Sequence, residues 1–65
     1  MKMKAHYTDG ELSRFLQELD DAPVEVSGWE AQFIESNIDS FQFSPKQREA
    51  ILKMIEKYGD RIGFQ

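Results

Sequence analysis

The chain is predicted to fold as an all-α, compact three-helix bundle. Two observations predict it: three capping-box sequences are each followed by apolar residues at helical spacing, and no two segments alternate as a pair of strands would. Sixty-five residues form one small domain, which excludes a two-domain enzyme, a barrel or a doubly wound nucleotide fold. Hydrophobic residues at 40% and charged residues at 31% are too apolar a mixture for a disordered tail, so the chain folds.

Thr8-Asp9-Gly10-Glu11 is the first start, with a threonine hydroxyl to accept a backbone amide and a glutamate to reach back to the cap. Tyr7 and Leu12 flank it as a hydrophobic staple. Leu12, Phe15, Leu16 and Leu19 then fall within an arc of about 100°. This helix is expected to stop near Asp20 or Asp21, because Pro23 disfavours helix at Ala22 and lacks an amide.

Ser27-Gly28-Trp29-Glu30 opens the second helix, which runs to about Ile38. Trp29 and Phe33 lie on one edge, with Ile34 and Ile38 about 140° away. That breadth predicts a central helix touching the other two. Asn37 lies inside the apolar arc and needs a hydrogen-bond partner if buried. Ser44-Pro45-Lys46-Gln47 opens the third, with proline at the first helical position, where its missing N–H costs nothing. Ile51, Met54, Ile55 and Tyr58 form its buried stripe, with Ile62 as a further candidate and Leu52 at the margin. Gly59 is the expected left-handed terminator, with residues 60–65 either one further turn or a tail. Residues 1–7 are read as a loose segment. Val24-Glu25-Val26 alternates like a strand but has nothing to pair with.

The residues that most chemistry requires are missing or scattered. Zero cysteines remove disulfides, thiolate metal sites and thiol nucleophiles, and fit a reducing, cytoplasmic setting. The amino terminus lacks the apolar run of a signal peptide, and no segment is long and apolar enough to span a membrane. His6 is the single imidazole, and the glycines at 10, 28, 59 and 63 form no phosphate-cradling loop. Glu18, Asp20, Asp21 and Glu25 lack calcium-loop spacing and read as a solvated acidic turn. A chain this short has little room for a substrate cleft. The expectation is a non-enzymatic protein with no cofactor, metal or small-molecule substrate.

Charge carries the remaining information. Residues 1–43 hold three basic residues against nine acids, a net of −6, whereas residues 44–65 hold five against three, a net of +2. Glu18, Asp20, Asp21, Glu25, Glu30, Glu35 and Asp39 follow one another between Arg14 and Lys46 with no lysine or arginine among them. Such a face suits a basic protein groove, or is simply solvated. On the third helix, Lys46, Lys53 and Lys57 fall within about 40° of one another, a stripe able to follow phosphates. Glu49 precedes Lys53 at the pairing spacing, which cancels part of that field. Arg48 and Gln47 sit near the helix start, where Gln47 either touches a base or closes the capping box. Trp29, Phe41 and Phe43 either seal the bundle or, if exposed, anchor a protein partner or stack on a base.

Residues Trp29-Glu30-Ala31-Gln32-Phe33-Ile34-Glu35-Ser36, followed by Phe43-Ser44-Pro45-Lys46-Gln47-Arg48-Glu49-Ala50-Ile51-Leu52, resemble a two-helix pattern of small phage and prophage modules. Such modules occur beside or fused to proteins that handle nucleic acid. The resemblance covers about half the chain, and most of its positions are caps and core. It implies a binding module at nucleic acid or the nucleoprotein machinery around it, with Lys46, Gln47 and Trp29 as the positions able to carry function across.

Three modes of action follow. In the first, Lys46, Gln47, Arg48, Lys53 and Lys57 contact nucleic acid. In the second, Glu18, Asp20, Asp21, Glu25, Glu35 and Asp39, with Phe41 and Phe43, meet a host or phage protein of nucleic-acid metabolism. There the chain serves as an inhibitor or adaptor in replication, transcription or defence. The third is a homodimer burying Phe41 and Phe43.

Overall fold

Helices begin here where a side-chain oxygen takes up an orphan backbone amide. In the computed structural model, which describes residues 6–64, α1 (Asp9–Asp21), α2 (Gly28–Asn37) and α3 (Pro45–Ile62) follow the caps Thr8, Ser27 and Ser44. All three capping boxes close reciprocally. The amides of Glu11, Glu30 and Gln47 donate to the cap hydroxyls at 3.1, 3.1 and 3.2 Å, and each cap amide donates back to the third-residue side chain at 2.8 Å. Pro45 occupies the first turn of α3. Ahead of Pro23, α1 ends on an extended Ala22.

Leu12, Phe15, Leu16 and Leu19 from α1 meet Ile51, Met54, Ile55 and Tyr58 from α3, all at 2% exposure or less. α2 adds Ile34 to this core, with Phe33 and Ile38 packed partly against it. α1 is therefore the central helix, its backbone close to those of both α3 and α2, while α2 and α3 stand further apart and meet only through side chains such as Glu30 with Tyr58 and Asn37 with Gln47. This corrects the expectation that α2 would be central. Its apolar residues divide over two edges, and the Trp29 edge borders an open groove toward α3 instead of packing closely against it.

Asn37 is nearly buried and its amide is satisfied on both sides. It donates to the carbonyl of Phe33 at 2.8 Å and accepts from the side chain of Gln47 at 3.2 Å. Val24 and Val26 turn toward the core and Glu25 away from it, in an unpaired connection. The described residues contain no strand.

At the ends of the chain two expectations change, the looseness of Tyr7 and the stop at Gly59, while of the two alternatives left open for residues 60–65 the further helical turn is the one that forms, through Ile62. Tyr7 is 1% exposed, so the segment before α1 is not loose at this position; residues 1–5 lie outside the described residues. α3 runs past Gly59 to Ile62, and Gly63, at φ 70°, is the left-handed residue that ends it. The physical reason is Phe64, which is 1% exposed and packs beside Tyr7, centroids 6.1 Å apart, and edge-on to Phe15 at 5.0 Å. A helix ending at Gly59 would leave that end of the core uncovered. Residue 65 lies outside the described residues.

Candidate functional site

Two surfaces collect the residues singled out in the sequence. The first is the groove left where α2 and α3 stand apart, about 530 Å³ in volume. Half-buried Ala50 and buried Met54 form its floor, Trp29 one wall, and Lys46, Lys53 and Lys57 its rim, with Glu30 and Glu49 among them. Trp29 is 61% exposed, and Phe33 stacks against it at 5.3 Å and 23°. The indole is therefore a supported plate.

The lysines of this rim are not equivalent. Lys57 lies 3.4 Å from Glu30, which also accepts a 2.6 Å hydrogen bond from the Tyr58 hydroxyl while closing the α2 capping box. Burial works against the charge on Glu30. The Tyr58 hydroxyl, the Ser27 amide and hydroxyl, and Lys57 outweigh it and hold the carboxyl at about 2. Lys57 is pushed above its ordinary value by Tyr58 and Glu30 in turn. Lys53 pairs loosely with Glu49 at 3.7 Å, both side chains at least 70% exposed. Lys46 is exposed and makes no ion pair with a described residue.

Arg48 and Gln47 do not join the groove. Arg48 turns toward α1, donating to the Asp9 carboxylate and the Tyr7 carbonyl. Gln47 closes its capping box and binds Asn37. Their expected place at a ligand is corrected accordingly: both are engaged in holding the bundle together.

The second surface is the α1–α2 face. Val26, Ala31, Ile34 and Ile38 line a depression of about 370 Å³, with Asp20 and Glu35 at its edge. Asp21 and Glu18 line a neighbouring hollow with Val24 and Arg61. Glu18 pairs with Arg14 at 3.2 Å. Asp20, Asp21, Glu25, Glu35 and Asp39 are all exposed and make no ion pair with a described residue. Phe41 is 75% exposed, whereas Phe43, at 9%, belongs to the core. The expectation that Phe43 contacts a partner is corrected by that burial.

Sequence reasoning missed Glu30 as the group that engages Lys57. One signal was available: a buried Tyr58 needs a partner for its hydroxyl. Nothing in the helical wheel of α3 alone says that the partner is an acid on α2.

Among the described residues, no three His, Cys, Asp or Glu side chains converge as a metal site, and no helix is long and apolar enough to cross a membrane. A scan against protein-family models, a search of curated proteins and a search of solved structures find no match to this chain.

Proposed function

We propose that the chain is a non-enzymatic binding module that acts on the protein machinery around nucleic acid. Its acidic α1–α2 face occupies a basic groove of a host or phage protein, as an inhibitor or adaptor. The observation that carries this reading is an asymmetry in ion pairing. Of the six described lysines and arginines, Arg14, Arg48, Lys53 and Lys57 have a carboxylate partner and two, Lys46 and Arg61, do not, whereas Asp20, Asp21, Glu25, Glu35 and Asp39 all have no ion-pair partner among the described residues. A formal net charge of −4 adds to the field of that face. Val26, Ala31 and Ile38, over the buried Ile34, supply apolar area beside Asp20 and Glu35, which fits a basic segment with an apolar side. The resemblance of residues 29–52 to phage modules supports a partner that works on nucleic acid. Direct reading of nucleic acid by the whole basic set has less support, since Arg48, Gln47 and Lys57 are engaged within the fold.

The test is a tagged capture from host lysate, with and without nuclease, followed by kinetics on the recovered protein. A protein that persists after nuclease is expected. Asp20→Asn, Asp21→Asn and Glu35→Gln together should slow its association by about tenfold at low salt and flatten the salt dependence. An on-rate indifferent to all three substitutions refutes the reading.

A further inference from the structure

The acidic face leaves the groove between α2 and α3 unexplained. Trp29 stands 61% exposed over Ala50 and Met54, and Phe33 packs against it and fixes its orientation. Lysine side chains border the plate. Lys46 has no ion pair with a described residue, and the Lys53–Glu49 contact is of the exposed kind that separates at little cost. Glu30, one of two acids lining the groove, is engaged by Tyr58 and Lys57, which offset its charge.

We infer that this groove is a second, separate site that binds single-stranded nucleic acid, one base stacking on Trp29 while Lys46 and Lys53 approach the flanking phosphates. The chemistry favours a single strand over other anionic partners. An acidic amphipathic helix needs a row of sockets at i, i+3 or i+4, and i+7, whereas the groove offers one flat ring with a small floor. A duplex keeps its base faces within the stack, and two available lysines give it too few phosphate contacts. An unpaired base presents a π-face to an indole whatever its identity, so binding here is tolerant of sequence. Coexisting with the acidic face, such a site would let the module hold a strand beside the protein that processes it.

Trp29 is the single tryptophan of the chain, so its emission reports the site directly. The experiment titrates the full chain with a thymidylate and an adenylate strand of about ten nucleotides and with a duplex of equal length. Saturable quenching by both strands is expected, with the duplex at least tenfold weaker. The log–log salt slope should be about −1.4, the value for two phosphate contacts on a single strand. With a labelled strand read by anisotropy, Trp29→Ala should weaken binding about tenfold or more. Lys46→Gln with Lys53→Gln should bring the slope toward zero. Both changes lie on exposed side chains, and circular dichroism checks that the fold is kept. No saturable quenching, equal affinity for duplex, or indifference to these variants overturns the inference. So does occupation of the groove by an acidic amphipathic peptide in place of the strand. The outcome is independent of the acidic face: Asp20→Asn, Asp21→Asn and Glu35→Gln should leave strand affinity within about twofold.

Discussion

The guanidinium of Arg48, in the first turn of α3, donates to the main-chain carbonyl of Tyr7, 41 residues earlier in the chain. The same group binds the carboxylate of Asp9 at the start of α1. One planar fork thus ties the beginning of α3 to the segment that leads into α1, and Tyr7 is pressed into the core beside Phe64. The segment before α1 is ordered at Tyr7 because a residue far away in sequence holds it.

Arg48→Ala should therefore lower stability by about 1–2 kcal/mol, the range of charge-assisted hydrogen bonds reduced for partial solvent access. In a domain this small that is a fall in Tm of roughly 4–16 °C. Lysine is a poor replacement, since a point charge cannot serve both oxygens. Asp9→Asn should cost less than Arg48→Ala because the Tyr7 carbonyl keeps its donor. Thermal melts of the three variants check the order. Equal melting of Arg48→Ala and the parent chain would refute the latch.

The other end of the same contact is Phe64, which touches Tyr7 and Phe15 and carries the Arg14 guanidinium 5.0 Å from its ring centre. Phe64→Ala should cost about 3–5 kcal/mol, as for other buried aromatic truncations. A small core without disulfides has little reserve, so the variant is expected to be largely unfolded near physiological temperature. Gly63→Ala, whose added methyl meets no atom within 4 Å, should cost only the backbone strain at φ 70°, about 1 kcal/mol. Denaturant titrations separate the two, and similar losses for both would argue against Phe64 as the plug of this end.

The three helices were legible in the sequence because their starts are local chemistry: a hydroxyl, an acid or amide three residues on, and an apolar stripe behind them. What the sequence hid was non-local. The helical wheel of α2 gave Trp29 and Ile34 equal standing, but Ile34 is buried in the core and Trp29 borders a groove left where the backbones of α2 and α3 stand apart. Gly59 looked like a stop because glycine usually is one; the core contact of Phe64, five residues on, carries the helix further. Arg48 and Lys53 looked alike as cations until the fold put Asp9 and the Tyr7 carbonyl beside the first and left the second in solvent. The distinction between a structural and an available charge is made by the neighbour across the bundle.

Ser13 is 3% exposed on α1, and its hydroxyl has no hydrogen-bond partner among the described residues. A buried unpaired hydroxyl is costly, and serine forms helix less readily than alanine. Ser13→Ala should raise stability by about 0.5–1.5 kcal/mol with no change in fold. Its melting temperature should rise by several degrees. A lower one would mean that the hydroxyl makes a bond the static geometry lacks.

Glu30 gives the chain its clearest pH dependence. Its carboxyl, ordinarily near 4.5, is held at about 2 in the folded chain. A depressed acid contributes stability that is present in full above its unfolded value and is lost as pH falls toward its folded one. Between about pH 4.5 and 2, then, the link from α2 to Tyr58 and Lys57 weakens. Glu30→Gln keeps a residue able to close the capping box but removes the charge. It should be less stable than the parent by about 1–2 kcal/mol at neutral pH, with the two stability curves converging as pH approaches about 2. Tyr58→Phe deletes the 2.6 Å hydrogen bond and should move the Glu30 titration back toward 4.5, readable from the carboxyl carbon shift by NMR. Lys57 runs the other way: its pKa is raised, so its contribution is present below the ordinary lysine value and fades as pH rises past it. Parallel curves for Glu30→Gln and the parent down to pH 2 would mean that Tyr58 and Lys57 do not stabilise the Glu30 carboxylate.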